Sequence, residues 1–107
     1  MTPPAGFFVV ARLDGRPVGC GALKRRDKST GEIKRMWTAL SARRQGVARR
    51  VLQTLEGIAR ELGLQMLRLE TNRTLTEAQA LYREEGYQEV TPFNDEPYAD
   101  HWFEKHL

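Results

Sequence analysis

The sequence predicts a mixed α/β domain: a mostly antiparallel sheet with one parallel strand pair at its centre, and two main helices. Three observations predict it. Asp14-Gly15 joins two runs rich in strand formers, the pattern of a hairpin. Apolar residues at Val47, Val51, Leu52, Leu55, Ile58, Ala59 and Leu62 keep returning to one face of a 3.6-residue helix. That helical stretch lies between two strand-like runs, 32–39 and 65–71, so a right-handed crossover makes those strands parallel.

Residues 1–6, with Pro3 and Pro4, read as an extended and poorly ordered start. The first strand covers 7–13 and its return strand 17–24, with Gly19 and Gly21 as points for a bulge or a close approach. A turn over 27–31 leads to the strand at 32–39. Alternation fails there, because Lys34 and Arg35 are both polar and Met36 and Trp37 both apolar. Either a β-bulge near residues 35–37 or burial of both faces at one end fits that break. The long helix ends at Gly63, a natural C′ residue. After the strand at 65–71, Thr74 or Thr76 is expected to cap a second helix, with Leu75, Ala78, Leu81 and Tyr82 on one face and Gly86 as its stop. A short strand at 87–90, a loop at 92–97 and a closing strand at 101–107 complete a single domain, 1–107.

Composition narrows the function classes. At 107 residues the chain holds one modest core. No apolar run approaches the roughly 18 residues of a membrane span, and residues 1–10 lack the layout of a secretory signal. The lone Cys20 forms no internal disulfide, and no Cys/His cluster has metal-ligand spacing, so no metal is expected. A cytoplasmic address is the default expectation. Seventeen Lys and Arg face fourteen Asp and Glu, for a net charge of +3. That is a mixed surface rather than a nucleic-acid-binding stripe, and its basic excess gathers in residues 24–50.

Within that region a strand runs into the basic loop Leu40-Ser41-Ala42-Arg43-Arg44-Gln45-Gly46, which opens directly into the long helix. The first N–H groups of a helix lack intrahelical partners and carry the positive end of the macrodipole. Gly46 and Ala48 leave the backbone open to close approach, and Arg43, Arg44, Arg49 and Arg50 surround it with positive charge. The site suits an anion, most naturally a pyrophosphate. Neither a P-loop nor a G-x-G-x-x-G fingerprint is present.

Arg43-Arg44-Gln45-Gly46-Val47-Ala48 matches [QR]-x-x-G-x-[GA], the coenzyme A signature of the GCN5-related N-acetyltransferase (GNAT) superfamily. Glu32-Ile33-Lys34-Arg35-Met36-Trp37 stands upstream and Leu69-Glu70-Thr71-Asn72 after the helix. Ala78-Gln79-Ala80-Leu81-Tyr82-Arg83-Glu84-Glu85-Gly86-Tyr87 resembles the superfamily's A-x-x-L-Y-x-x-x-G-[FY] element. The resemblance covers about residues 7–107.

The resemblance implies an N-acetyltransferase that moves an acetyl group from acetyl-CoA to a primary amine by direct attack, with no covalent enzyme intermediate. The pantetheine arm would lie between the two parallel strands, pairing with the backbone of Met36, Trp37 and Thr38. Backbone N–H groups over Arg44, Gln45, Gly46, Val47, Ala48 and Arg49 would hold the pyrophosphate, with Arg43, Asn72, Ala78 and Tyr82 also contacting the cofactor. Tyr82 matches the tyrosine that protonates the departing thiolate; its other reading is a core tyrosine with its hydroxyl at the rim. Glu32 stands where some members place a general base, or equally is a strand-end glutamate paired with Lys34 or Arg68. His101 and His106 read as exposed, and Trp37 and Trp102 as packing residues. Trp102 and Phe103 adjoin the superfamily's substrate end, leaving a pocket role open for one of them.

The superfamily usually begins with another strand and two helices, absent before the hairpin here. Their absence is expected to leave apolar sheet surface uncovered, which a second copy would cover in a two-fold homodimer. The acceptor is a small-molecule or peptide amine. The rival readings are a coenzyme A-binding protein that has lost acetylation and, from another class, a small basic nucleic-acid-binding domain.

Overall fold

The computed structural model describes residues 6–43 and 46–107; the expectation for residues 1–5 and the side chains of Arg44 and Gln45 lie outside them. The elements run β1 Gly6–Leu13, β2 Arg16–Arg25, β3 Thr30–Thr38, a 3-10 turn at Leu40–Ala42, α1 Val47–Glu61, β4 Met66–Thr71, α2 Thr76–Glu84, β5 Gln88–Val90 and β6 His101–His106. The six strands form one sheet in the order β1-β2-β3-β4-β6-β5. The β3–β4 pair is parallel and the other pairs are antiparallel. This is the fold class read from the sequence.

Local chemistry explains the boundaries. Asp14 (φ 51°) and Gly15 (φ 81°) are both left-handed, as a two-residue hairpin turn matching the strand twist requires. Both helices stop in the same way. Gly63 (φ 78°) and Gly86 (φ 93°) carry the left-handed step, while Leu64 N donates to Ala59 O and Tyr87 N to Tyr82 O. The start of α2 differs from expectation. Its N-cap is Leu75, with no side-chain cap; Thr74 stands one residue before the cap position, its hydroxyl donating to Asn72 Oδ1 at 2.8 Å. Gln79 reaches back from the first turn to the carbonyls of Asn72 and Arg73.

One core lies on one face of the sheet. Leu23, Ile33, Leu67, Leu69 and Phe103 from the strands meet Val51, Leu52, Leu55 and Ala59 of α1 and Tyr82 of α2. The helix α1 sits close on β2: a Cβ at Gly21 would stand 2.6 Å from Met36 Sδ and 2.9 Å from Val51 Cγ1. Glycine there is an approach requirement, not a turn requirement.

The opposite face bears the alternate residues. Register places Val10, Cys20 and Trp37 in one row, Phe8, Ala22 and Lys34 in the next, and Lys24 and Glu32 beside Arg68 and Glu104 in a third. Phe8, Val10 and Trp37 are exposed. The uncovered face is therefore apolar only over β1, β2 and the end of β3; over β4 and β6 it is largely charged. Among the described residues no helix is long and apolar enough to cross a membrane.

Candidate active site

The parallel ladder between β3 and β4 has three registered pairs, Thr30↔Met66, Gly31↔Leu67 and Glu32↔Arg68. Beyond them β3 runs on to Thr38 and β4 to Thr71 without pairing to each other. The strands part because β3 is bent. Lys34 pairs with Ala22 and Trp37 with Cys20, so an extra residue on β3 faces β2 here. Arg35 takes up that bulge with a left-handed φ of 57°. The broken alternation thus resolves as a bulge, and the bulge coincides with the opening.

The gap widens into a cleft of about 1790 Å³ that reaches from Lys34 and Glu70 to the start of α1 and the flank of α2. That exceeds the roughly 300–1,000 Å³ of a pocket for one small ligand. Met36, Trp37, Thr38, Arg43, Gly46, Val47, Ala48, Arg49, Asn72, Ala78 and Tyr82 all line it. Every described member of the expected cofactor set is thus brought to one cavity. Glu32 is not on its wall.

At one end the backbone is bare. Gly46 is the N-cap of α1 with φ 77° and no side-chain cap, and the first turn holds no acidic residue. Arg50 N takes the first helical bond, to Gly46 O at 3.0 Å. The preceding amides of Val47, Ala48 and Arg49 lack intrahelical acceptors. A Cβ built on Gly46 meets nothing within 4 Å. The Arg49 guanidinium turns away toward α2, pairing with Glu84 at 2.6 Å and Glu85 at 3.3 Å, so its backbone rather than its side chain faces this end.

Tyr82 is 5% exposed, its ring edge-on to Tyr87 and tilted against Phe103, each at 5.9 Å between centroids. Its hydroxyl has no hydrogen-bond partner among the described residues, and burial pushes its pKa up to about 12. It stays a proton donor throughout the neutral range.

Glu32 is held on both oxygens, by Arg26 at 2.6 Å and Lys34 at 3.3 Å. Burial by itself would raise its carboxyl. The Arg26 hydrogen bond and the Lys34 charge outweigh that and keep it below the ordinary value. The partner from the turn, Arg26, was not expected. Asn72 is likewise engaged, donating to Tyr98 O at 3.1 Å and accepting from Thr74 N at 2.8 Å.

The aromatic residues fall differently from the sequence reading. Trp37, read as packing, is 52% exposed and lines the cleft. Phe103 is wholly buried in the core, and Trp102 donates to Asn94 Oδ1 at 2.9 Å; neither reaches the cleft wall. His101 binds Glu89 at 2.7 Å and His106 is exposed, both away from the cleft. The sequence reading missed Glu70, Leu75 and Tyr98, which also line the cavity. The alternation Glu32/Lys34 against Arg68/Glu70 on parallel strands is the signal that would have paired Lys34 with Glu70.

Residues 1–87 match the Acetyltransferase (GNAT) family. The chain is 41% identical over 93 residues to an IAA acetyltransferase of Azospirillum brasilense, covering 86% of this chain and 60% of that protein. It is 44% identical over 79 residues to the uncharacterized N-acetyltransferase YsnE of Bacillus subtilis (strain 168), covering 72% of this chain and 52% of that one. The chain thus spans between about half and 60% of the length of these relatives. Among solved structures, a putative acyl-CoA N-acyltransferase from Klebsiella pneumoniae superposes with a TM-score of 0.88 at 32% identity, covering 100% of this chain and 76% of that one. A GNAT family acetyltransferase from Elizabethkingia anophelis, solved with acetyl-CoA bound, shares the fold with a TM-score of 0.82 at 19% identity, covering 96% and 77%. With a bare helix start at the signature loop, a split parallel pair beneath it and this match over most of its length, the chain belongs to the GNAT family of acetyltransferases.

Proposed function

We propose that this chain carries the catalytic domain of an N-acetyltransferase that transfers acetyl from acetyl-CoA to a primary amine in a ternary complex. The observation that carries the reading is the unpaired stretch of β3 and β4 leading to the uncapped start of α1. A diphosphate would accept hydrogen bonds from the amides of Val47, Ala48 and Arg49, together with Arg44 and Gln45 of the loop, and Arg43 would add charge. The pantetheine arm would add to β3 through the backbone of Met36, Trp37 and Thr38. Asn72 would contribute through the loop it braces, since its side chain is already engaged. Ala78 and Tyr82 would flank the thioester.

In this reading the amine nitrogen attacks the thioester carbon, the C–S bond breaks, and Tyr82 gives its proton to the departing sulfur. The phenolate regains a proton lost by the nitrogen as the amide forms. Glu32, doubly paired and off the cleft wall, is a weak base, and we assign it to holding Lys34 and Arg26. The test is calorimetric titration with acetyl-CoA against ADP, followed by thiol release across a panel of amines. Tight binding of acetyl-CoA with amine-dependent thiol release supports the reading; equal affinity for ADP refutes the arm's place in the cleft. Binding without turnover of any amine would instead favour a coenzyme A-binding protein.

The patch of Phe8, Val10 and Trp37 supports a homodimer across the open face. A monomer at micromolar concentration in sedimentation equilibrium counts against it. Dependence on the intracellular acetyl-CoA pool supports a cytoplasmic site of action, checked by cell fractionation.

A further inference from the structure

Among the described residues, two that are not glycine have a left-handed φ, Asp14 and Arg35. Asp14 makes the β1–β2 hairpin turn. Arg35, at φ 57°, fills the bulge where the parallel pair opens. A residue with a Cβ holds that conformation at a cost, and such residues gather at functional sites. The sheet braces this one, since Cys20 Sγ donates to Arg35 O at 3.4 Å. Arg35 is exposed and lines the cleft.

Its neighbours on the cleft wall are neutralised. Lys34 pairs with Glu32 and Glu70, and Arg49 with Glu84 and Glu85. The Arg35 guanidinium has no ion pair or hydrogen bond among the described residues. Arg43 stands at the α1 end of the cleft, and Lys24 lies on β2, one strand farther from the parted pair. The fork of β3 and β4 is thus left with an uncommitted guanidinium, one residue before the stretch that the pantetheine arm would pair with. A guanidinium presents a rigid, planar set of donors that matches a carboxylate through two hydrogen bonds. Trp37, Leu75 and Tyr98, all exposed, give the same cleft apolar surface.

Resting on the acetyl-transfer reading above, we propose that the acceptor is an α-amino acid with an apolar side chain, its carboxylate held by the Arg35 guanidinium. The amino nitrogen of such a molecule is joined to the carboxylate carbon through the α-carbon alone. An arginine at residue 35 therefore anchors the carboxylate while the nitrogen turns to a thioester lying along residues 36–38. The apolar side chain rests against Trp37, Leu75 and Tyr98. L-Phenylalanine is the probe, and 2-phenylethylamine, the same amine without the carboxylate, is its comparison.

The experiment compares the parent chain with Arg35→Gln and Arg35→Lys. Thiol release gives kcat/KM for L-phenylalanine and for 2-phenylethylamine, and calorimetry gives acetyl-CoA affinity. The ratio of the two amines, compared between proteins, cancels their different basicities and any general damage to turnover. In the parent with coenzyme A bound, the Arg35 Nε–H resonance is followed as N-acetyl-L-phenylalanine, the product, is added. The parent is expected to prefer L-phenylalanine. That preference falls about 10- to 100-fold in Arg35→Gln, the loss of a charge-assisted hydrogen bond, and less in Arg35→Lys, which keeps the charge without the paired donors. Acetyl-CoA affinity stays within about twofold, and the Arg35 resonance moves saturably with the product. A preference that changes by less than about threefold in Arg35→Gln, a parent that favours 2-phenylethylamine, or a fixed resonance overturns the proposal. Should the parent turn over no amine, the acetyl-transfer reading fails and the resonance alone decides: movement supports Arg35 as a carboxylate site, a fixed resonance refutes it. The same resonance decides if Arg35→Gln does not fold.

Discussion

Replacing Gly46 by alanine separates binding from folding. Gly46 has φ 77°, and its built Cβ meets nothing within 4 Å, so the change brings no clash in the free chain. The folding cost is the left-handed backbone alone, about 1–2 kcal/mol for a residue with a Cβ. For a domain of this size that lowers Tm by roughly 5–10 °C. The added methyl nevertheless occupies the space beside the first amides of α1, which have no acceptor among the described residues. Displacing the diphosphate from one charge-assisted hydrogen bond costs about 1.5–3 kcal/mol, or about 10- to 100-fold in affinity. Gly21→Ala is the control. Its Cβ would stand 2.6 Å from Met36 Sδ, 2.9 Å from Val51 Cγ1 and 3.0 Å from Leu55 Cδ1, an overpacking of about 1–3 kcal/mol away from the cradle. The assay is calorimetry with acetyl-CoA at a temperature where all three proteins are folded. Gly46→Ala is expected to lose affinity, and Gly21→Ala to lose thermal stability while the folded protein binds normally. Undiminished binding by Gly46→Ala refutes the cradle.

Tyr82→Phe is expected to slow turnover by about 10-fold or more and to leave acetyl-CoA affinity unchanged; the opposite pattern, read by steady-state kinetics and calorimetry, assigns Tyr82 to packing. Because burial raises its pKa to about 12, the parent's kcat shows no loss from Tyr82 ionisation through the neutral and mildly alkaline range. Glu32→Gln keeps kcat within about threefold but changes the pH dependence of stability. The folded Glu32 carboxyl lies below its unfolded value, so its stabilisation is present above that unfolded value and disappears as pH falls through the folded one. The Tm gap between parent and Glu32→Gln is therefore full near neutrality and closes in acid, as thermal melts at stepped pH will record. Glu56, 3% exposed on α1, accepts from Tyr87 at 2.8 Å and Lys105 at 3.0 Å; Glu56→Ala strands both donors and is expected to cost about 3–5 kcal/mol in denaturant unfolding.

What the sequence made legible was what short-range chemistry decides. Asp14-Gly15, Gly63 and Gly86 mark turns because the backbone needs a left-handed step at those points. The α1 stripe is a period any packed helix must show, and the start of α1 is legible because its N-cap is Gly46, which has no side chain to cap with. The broken alternation at 34–37 marked the bulge, though not that the bulge opens the parallel pair. The failures were long-range. Thr74 has a capping residue's chemistry, but the helix begins one residue later, with Leu75 at the cap position. Glu32 was open to two readings, and its pairing with Lys34 is one of them, but the turn also brings Arg26 onto it. Trp37 had a core residue's character, yet the bulge turns it onto the open face beside Cys20. Glu70 became visible only when two strands distant in sequence set it opposite Lys34.

The most direct test of the account is a backbone amide shift map of the chain titrated with acetyl-CoA. It predicts that the largest saturable shifts fall on Val47, Ala48 and Arg49 at the start of α1 and on residues 36–38 of β3. Saturable binding that leaves those amides unmoved would contradict it.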